Sequence, residues 1–151
     1  MKKIYWAVIA LVIILPIAWY LLSPLFISIE LNEDSPMEST ENTAALELPK
    51  ALLEGNFVES AHEVSGKAIV IDTSNGKVLR FEDFETVNGP DLFIYLSSDL
   101  DNNDFIDLGK IKATKGNVNY QLPENVDLEK YNKVLIWCRA FRVLFSYAEL
   151  K

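Results

Sequence analysis

Asn88-Gly89-Pro90-Asp91-Leu92-Phe93-Ile94-Tyr95-Leu96 is the stretch that decides the fold. Its first three residues are turn formers, and the run that follows is apolar on both faces. A run this short is a strand rather than a helix, and one without alternation is a central strand covered on both sides. Moving toward the C-terminus, Val118–Leu122 and Lys133–Arg139 have the same character, and Val143–Tyr147 closes the series. Toward the N-terminus, Lys77–Phe81, Gly66–Asp72 and Phe57–Val64 read as strands, with Asn75-Gly76 as a hairpin turn that tolerates positive φ. Strands spaced by roughly 8–12 residues, with weak helical periodicity between them, predict an all-β domain. The expected architecture is sandwich- or barrel-like, with about eight short strands.

The first residues belong to a different environment. From Ile4 to Leu22 only Pro16 falls outside the apolar and aromatic set, and no charge appears between Lys3 and Glu30. A helix needs about 20 such residues to cross a bilayer core, so residues 1–29 are expected to form one N-terminal transmembrane anchor. Pro24 marks the outer end, and Leu25 to Ile29 fall in the interface. A cleaved signal peptide is the alternative, but Ser23-Pro24-Leu25-Phe26 is a poor cleavage site and the run exceeds a usual signal core. Lys2 and Lys3 precede the span and Glu30, Glu33 and Asp34 follow it. The expected topology is therefore single-pass, with a cytoplasmic N-terminus and the remainder outside.

Residues 30–54 are polar, acidic and without sustained period, and are expected to be a stalk, with Pro49–Glu54 a short helical turn before the domain at 55–151. The chain has 14 basic residues; without Lys2 and Lys3, 12 remain against 22 acidic ones, a net of −10. Such a surface repels nucleic acid and anionic headgroups and keeps an external domain soluble.

Few residues there carry chemistry. His62 and Cys138 are the one histidine and the one cysteine, too few for a four-ligand zinc site or an internal disulfide. A lone thiol in an oxidising compartment is buried, bonded to another molecule, or used. Strand alternation puts Cys138 on the face of Val134 and Ile136, and Arg139 on the other with Leu135 and Trp137. That leaves two readings: a core cysteine, or a redox thiol or prosthetic-group ligand. His62 is expected on the Phe57–Val64 strand, sharing a face with Val58 and Val64, as a satisfied imidazole or a ligand. Asp99–Asp107 resembles a calcium loop but has Asp104 and Lys110 where the pattern requires Gly and Glu. A solvated acidic loop is the expectation, with loose calcium binding as the lesser reading.

Taken in order, these segments resemble the DM-thirteen electron-transfer domain family, found beside DOMON modules in Skeletor-like proteins. The resemblance spans about Gly55 to Leu150. It is carried by Phe81-Glu82-Asp83-Phe84 and Asn88 to Ser97, then by Leu108-Gly109-Lys110, Gly116-Asn117 and Tyr120-Gln121-Leu122-Pro123. Ile136-Trp137-Cys138, Phe141 and Ala148-Glu149-Leu150 complete it. It implies an all-β domain whose characteristic cysteine corresponds to Cys138, acting as a bare thiol or as a ligand to haem, with His62 where members often carry a histidine. Both methionines, Met1 and Met37, lie outside the domain, so Cys138 with His62 is the pair expected to hold a haem. No cytochrome or DOMON module accompanies the domain here, so the redox partner is expected to be a separate redox or cell-surface protein. The competing reading is a non-catalytic extracellular binding or adhesion module, which would expose Tyr95, Tyr120 or Tyr147 as a contact patch.

Overall fold

A computed structural model describes residues 2–23, 27–37 and 49–151. Helix α1 (Lys2–Leu22) contains Pro16 and is followed, among the described residues, by nine strands: β1 (Glu30–Asn32), β2 (Lys50–Glu59), β3 (Val64–Thr73), β4 (Gly76–Thr86), β5 (Leu92–Ser97), β6 (Phe105–Lys110), β7 (Lys115–Gln121), β8 (Lys133–Cys138) and β9 (Val143–Glu149). They form one sheet in the order β1-β7-β4-β3-β2-β9-β8-β5-β6, curled into a half-barrel. The expected all-β fold after one apolar helix is what the chain adopts.

Strand β2 makes the curl. Its first part, Lys50 to Asn56, pairs antiparallel with β3, and its last part, Phe57 to Glu59, pairs with β9. At the changeover Gly55 lies so close to β9 that a Cβ there would meet the Glu149 carbonyl oxygen at 2.1 Å. No other residue type fits that approach. The two arms fold over a shared core, with Leu79, Phe81, Phe84 and Val118 facing Ile94, Val134, Ile136 and Phe145. Phe57 sits at the bend, its ring 4.9 Å from Phe81 and 5.0 Å from Phe84. Burial of these large apolar side chains is the main force holding the arms together.

Three local expectations differ from what forms. Pro49–Glu54, expected as a helical turn, supplies most of the first half of β2, because Ala51 and Leu53 find cross-strand partners in Ile71 and Val70. The polar segment after the helix starts with a strand: Glu30, Leu31 and Asn32 pair in parallel with Lys115, Gly116 and Asn117. Gly116 has φ +112, and a Cβ on it would meet the Leu31 carbonyl oxygen at 2.2 Å. Arg80 then fastens the segment, its guanidinium donating to the Glu33 and Asp34 carbonyls at 3.2 Å and to Asn119 Oδ1 at 3.0 Å. Of the expected stalk, residues 38–48 lie outside the described residues. Third, β6 takes in Phe105 to Asp107 from the acidic stretch, where Gly109 and Asp107 had hidden the strand pattern.

The hairpin at Asn75-Gly76 forms with Ser74 and Asn75 at its tip, and only Gly76 takes a positive φ, +108. Helix α1 has large side chains exposed all round, including Trp6, Ile14 and Trp19. Its window Lys3–Tyr20 has mean hydropathy 1.9, long and apolar enough to cross a membrane, as a signal sequence also would be.

Candidate functional site

Cys138 is the last residue of β8, paired across the sheet with Leu92 on one side and Val143 on the other. Its side chain faces inward with Val134 and Ile136, as alternation required, and all three are completely inaccessible. The thiol is free. Immediately after it the chain turns through Arg139-Ala140-Phe141-Arg142 into β9, so the thiol is buried but only one residue from a hairpin tip. Arg142 takes φ +54 to close that tip.

His62 is not on a strand. Strand β2 ends at Glu59, and Ser60 to Glu63 form a loop against β9, with the His62 amide donating to the Phe145 carbonyl at 3.1 Å. The strand expected to run on to Val64 stops early because the Ser60 and His62 amides both turn to the Phe145 carbonyl and the Ala61 amide to that of Leu144, which breaks the regular ladder with β9. The imidazole is half-buried and stacks on Phe145, with ring centroids 3.9 Å apart. Phe145 belongs to the same core as Cys138. Cys138 and His62 thus come to the same end of the sheet on opposite sides of β9, but the described contacts join His62 to Phe145 and not to the thiol.

A haem does not fit this arrangement. It needs an open cavity beside its ligand, yet Cys138 is close-packed in the apolar core and one imidazole face is occupied by Phe145. Clefts of about 350 Å³ are found elsewhere on the domain. One is lined by Glu59, Glu63, Ser65 and Glu85, the other by Asn88, Asp91 and Lys110 among others; neither is lined by Cys138 or His62.

Arg139 turns to the outer face, as expected. Its guanidinium lies 3.3 Å from the Phe93 ring centroid and donates to Tyr95 Oη at 2.5 Å and to Asp107. The hydrogen bond to Tyr95, ahead of that to Asp107, holds its pKa above the ordinary arginine value. It therefore braces the outer surface of β5 and β8, on the opposite face of β8 from the thiol. Sequence reading missed this cluster because Arg139, Tyr95 and Asp107 meet only through the β6-β5-β8 pairing.

The other candidates are accounted for by their contacts. Asp104 pairs with Lys130 at 2.7 Å and accepts from Tyr131 Oη at 2.8 Å, and its pKa is lowered chiefly by the Lys130 hydrogen bond. With Asp107 held by Arg139, these carboxylates are occupied, and among the described residues no three His, Cys, Asp or Glu side chains converge as metal donors. Tyr95 and Tyr120 are buried, so the tyrosine patch reduces to half-buried Tyr147. Tyr120 Oη accepts from the Lys112 amide at 3.0 Å, and burial pushes its pKa up to about 12.

No curated protein and no solved structure matches the chain. The profile of one family, DM13, described as electron transfer, matches residues 56–150, well over half the chain and nearly all of the β domain. The sheet after the bend, the inward cysteine at the end of β8 and the hairpin that follows it all fall inside that match: the chain belongs to the DM13 electron-transfer family.

Proposed function

We propose that this protein is a single-pass membrane protein whose DM13 domain lies outside the cytoplasm and serves as a redox accessory through the thiol of Cys138. The family's description supports a redox-related role. The apolar helix preceded by Lys2 and Lys3 and followed by acidic residues supports the anchor and its orientation. One observation carries the assignment to Cys138: the only cysteine of the chain sits buried at the very end of β8, beside a four-residue tip. A thiol there is released by opening the β8–β9 hairpin end, a local event that costs far less than unfolding the sheet.

Once exposed, the thiol loses its proton to solvent and its sulfur attacks one sulfur of a disulfide in a separate redox partner. A mixed disulfide forms, the partner's own S–S bond breaks, and its second sulfur leaves as thiolate. A dithiol of a donor protein then attacks the Cys138 sulfur, releasing the partner fully reduced, and the donor's other thiol closes the donor's own disulfide and returns Cys138 as thiolate. Closure of the hairpin protects Cys138 from irreversible over-oxidation between cycles.

The test is the rate of Cys138 labelling by a maleimide at increasing urea. Opening of the hairpin end predicts slow labelling that depends weakly on urea at low concentration. If the rate instead tracks global unfolding at every concentration, Cys138 is a core residue only, and the redox assignment to it fails.

A further inference from the structure

We propose that the β8–β9 tip, Ala140-Phe141-Arg142, docks into the headgroup layer of the membrane that the chain's own helix spans, so that the domain sits on the bilayer by its Cys138 end. The inference rests on the anchor reading above and adds a second, distinct contact with the lipid.

The domain is tied to the helix by a short tether at a defined end. Asn88 Nδ2 donates to the Ile27 carbonyl at 3.0 Å, and the Ile29 amide donates to Thr114 Oγ1 at 2.9 Å. The amides of Thr114 and Lys115 donate in turn to the Ile29 carbonyl at 2.8 and 3.1 Å. Ile27 to Ile29 are thus fixed to the end of the sheet where β4 and β6 finish and β5 and β7 begin. The last described residue of the helical segment is Ser23. Four residue steps separate it from Ile27, which fully extended cover at most roughly 14 Å. Whatever the helix tilt, this end of the domain stays close to the bilayer surface.

The β8–β9 tip belongs to that end, since the Arg139 amide donates to the Asp91 carbonyl at 3.0 Å, next to the Asn88 turn. Phe141 is 58% exposed, the most exposed large apolar side chain in the β domain. Beside it, Arg142 is exposed and makes no hydrogen bond or ion pair among the described residues. Two of the chain's three arginines fall in this four-residue tip of a protein with net charge −8. At the same end Asp91 is paired with Lys110 and Glu85 with Lys115, while Glu59 and Glu63 stay unpaired. Bulk charge therefore does not drive the contact. An aromatic ring enters the headgroup–acyl boundary, and a guanidinium on its flank bonds lipid phosphate, even in a zwitterionic bilayer.

The experiment places an environment-sensitive NBD label at Ala140→Cys, in the full chain reconstituted into phosphatidylcholine vesicles that carry a headgroup-proximal nitroxide lipid. Buried Cys138 is left in place, and the unsubstituted chain serves as the labelling blank. The control label is at Ser74→Cys, in the opposite hairpin at the far end of β4, whose 11 residues span roughly 30 Å. Expected is quenching at position 140 at least roughly twofold above that at 74, falling by roughly half or more when Phe141→Ser and Arg142→Ser are added; quenching at 140 unchanged in that double variant would mean the tether alone holds the tip near lipid and would overturn the docking. Equal, weak quenching at both positions in chain that resists an alkaline carbonate wash would overturn the docking and leave the anchor standing. Chain released by that wash would overturn the anchor, and the docking with it. Unchanged protease resistance of the labelled domain shows that each reporter sits on folded protein.

Discussion

Replacing Cys138 by serine tests whether the thiol lies in an apolar, close-packed site. The side chain is completely inaccessible, and its neighbours across the sheet are Leu92 and Val143. The backbone of β8 is already paired on both sides, by β5 and β9. A serine hydroxyl there meets apolar cross-strand neighbours and backbone that is already paired, at a cost of about 1–3 kcal/mol for an orphaned group, and it loses about 1 kcal/mol of apolar burial besides. Cys138→Ala loses the sulfur contacts and leaves a small cavity, about 1–2 kcal/mol in all. The expected order is therefore Cys above Ala above Ser. The assay is urea unfolding of residues 27–151, a fragment that keeps β1 and leaves Trp137 as its only tryptophan to report by fluorescence. A serine variant as stable as the alanine variant, or more so, would refute the apolar site. It would mean that position 138 meets a polar partner or water, and the buried-thiol mechanism would have to be redrawn.

Four further outcomes follow from the packing. Ser146 is completely buried and its Oγ has no partner among the described residues, so Ser146→Ala is expected to be neutral or stabilising by up to about 1 kcal/mol; a loss above that, by the same urea assay, would reveal a hidden partner. A fragment beginning at residue 50 lacks β1 and strips two carbonyl acceptors from Arg80, which is only 5% exposed. It is expected to be about 3 kcal/mol less stable than 27–151 and prone to pairing along the bared β7 edge; equal melting temperatures would count against the clamp. In a spectrophotometric titration Tyr120 should ionise only near pH 12. Because the folded state holds that proton longer than the unfolded chain, its contribution to stability falls as pH rises from about 10 to 12, and Tyr120→Phe should remove both effects. Although burial opposes it, hydrogen bonds from Arg80 and Lys67 leave Glu82 with a pKa below the ordinary value. Its contribution is present above the usual glutamate range and is lost as pH falls through the lowered value, so Glu82→Gln should flatten the acid side of the stability curve.

Much of this molecule is written in local patterns. The run Ile4–Leu22 suffices to identify a helix that water cannot solvate, because its apolar length is a property of the segment alone. Alternation in Val134 to Cys138 likewise places the thiol inward before any partner strand is known, since a strand's side chains can only alternate. Two-sided apolarity in Leu92 to Leu96 fixes a central strand for the same reason. What tertiary structure decided is everything that depends on a distant partner. Glu30 to Asn32 become a strand only because Gly116 lets β7 accept them, and Ala51 and Leu53 extend only because β3 is there to pair. His62 leaves its expected strand to stack on Phe145, some eighty positions away, and Arg139 finds Tyr95 and Asp107 through strand order that no local pattern records. Period and composition act over a few residues, whereas register and close approach are set by the chain as a whole.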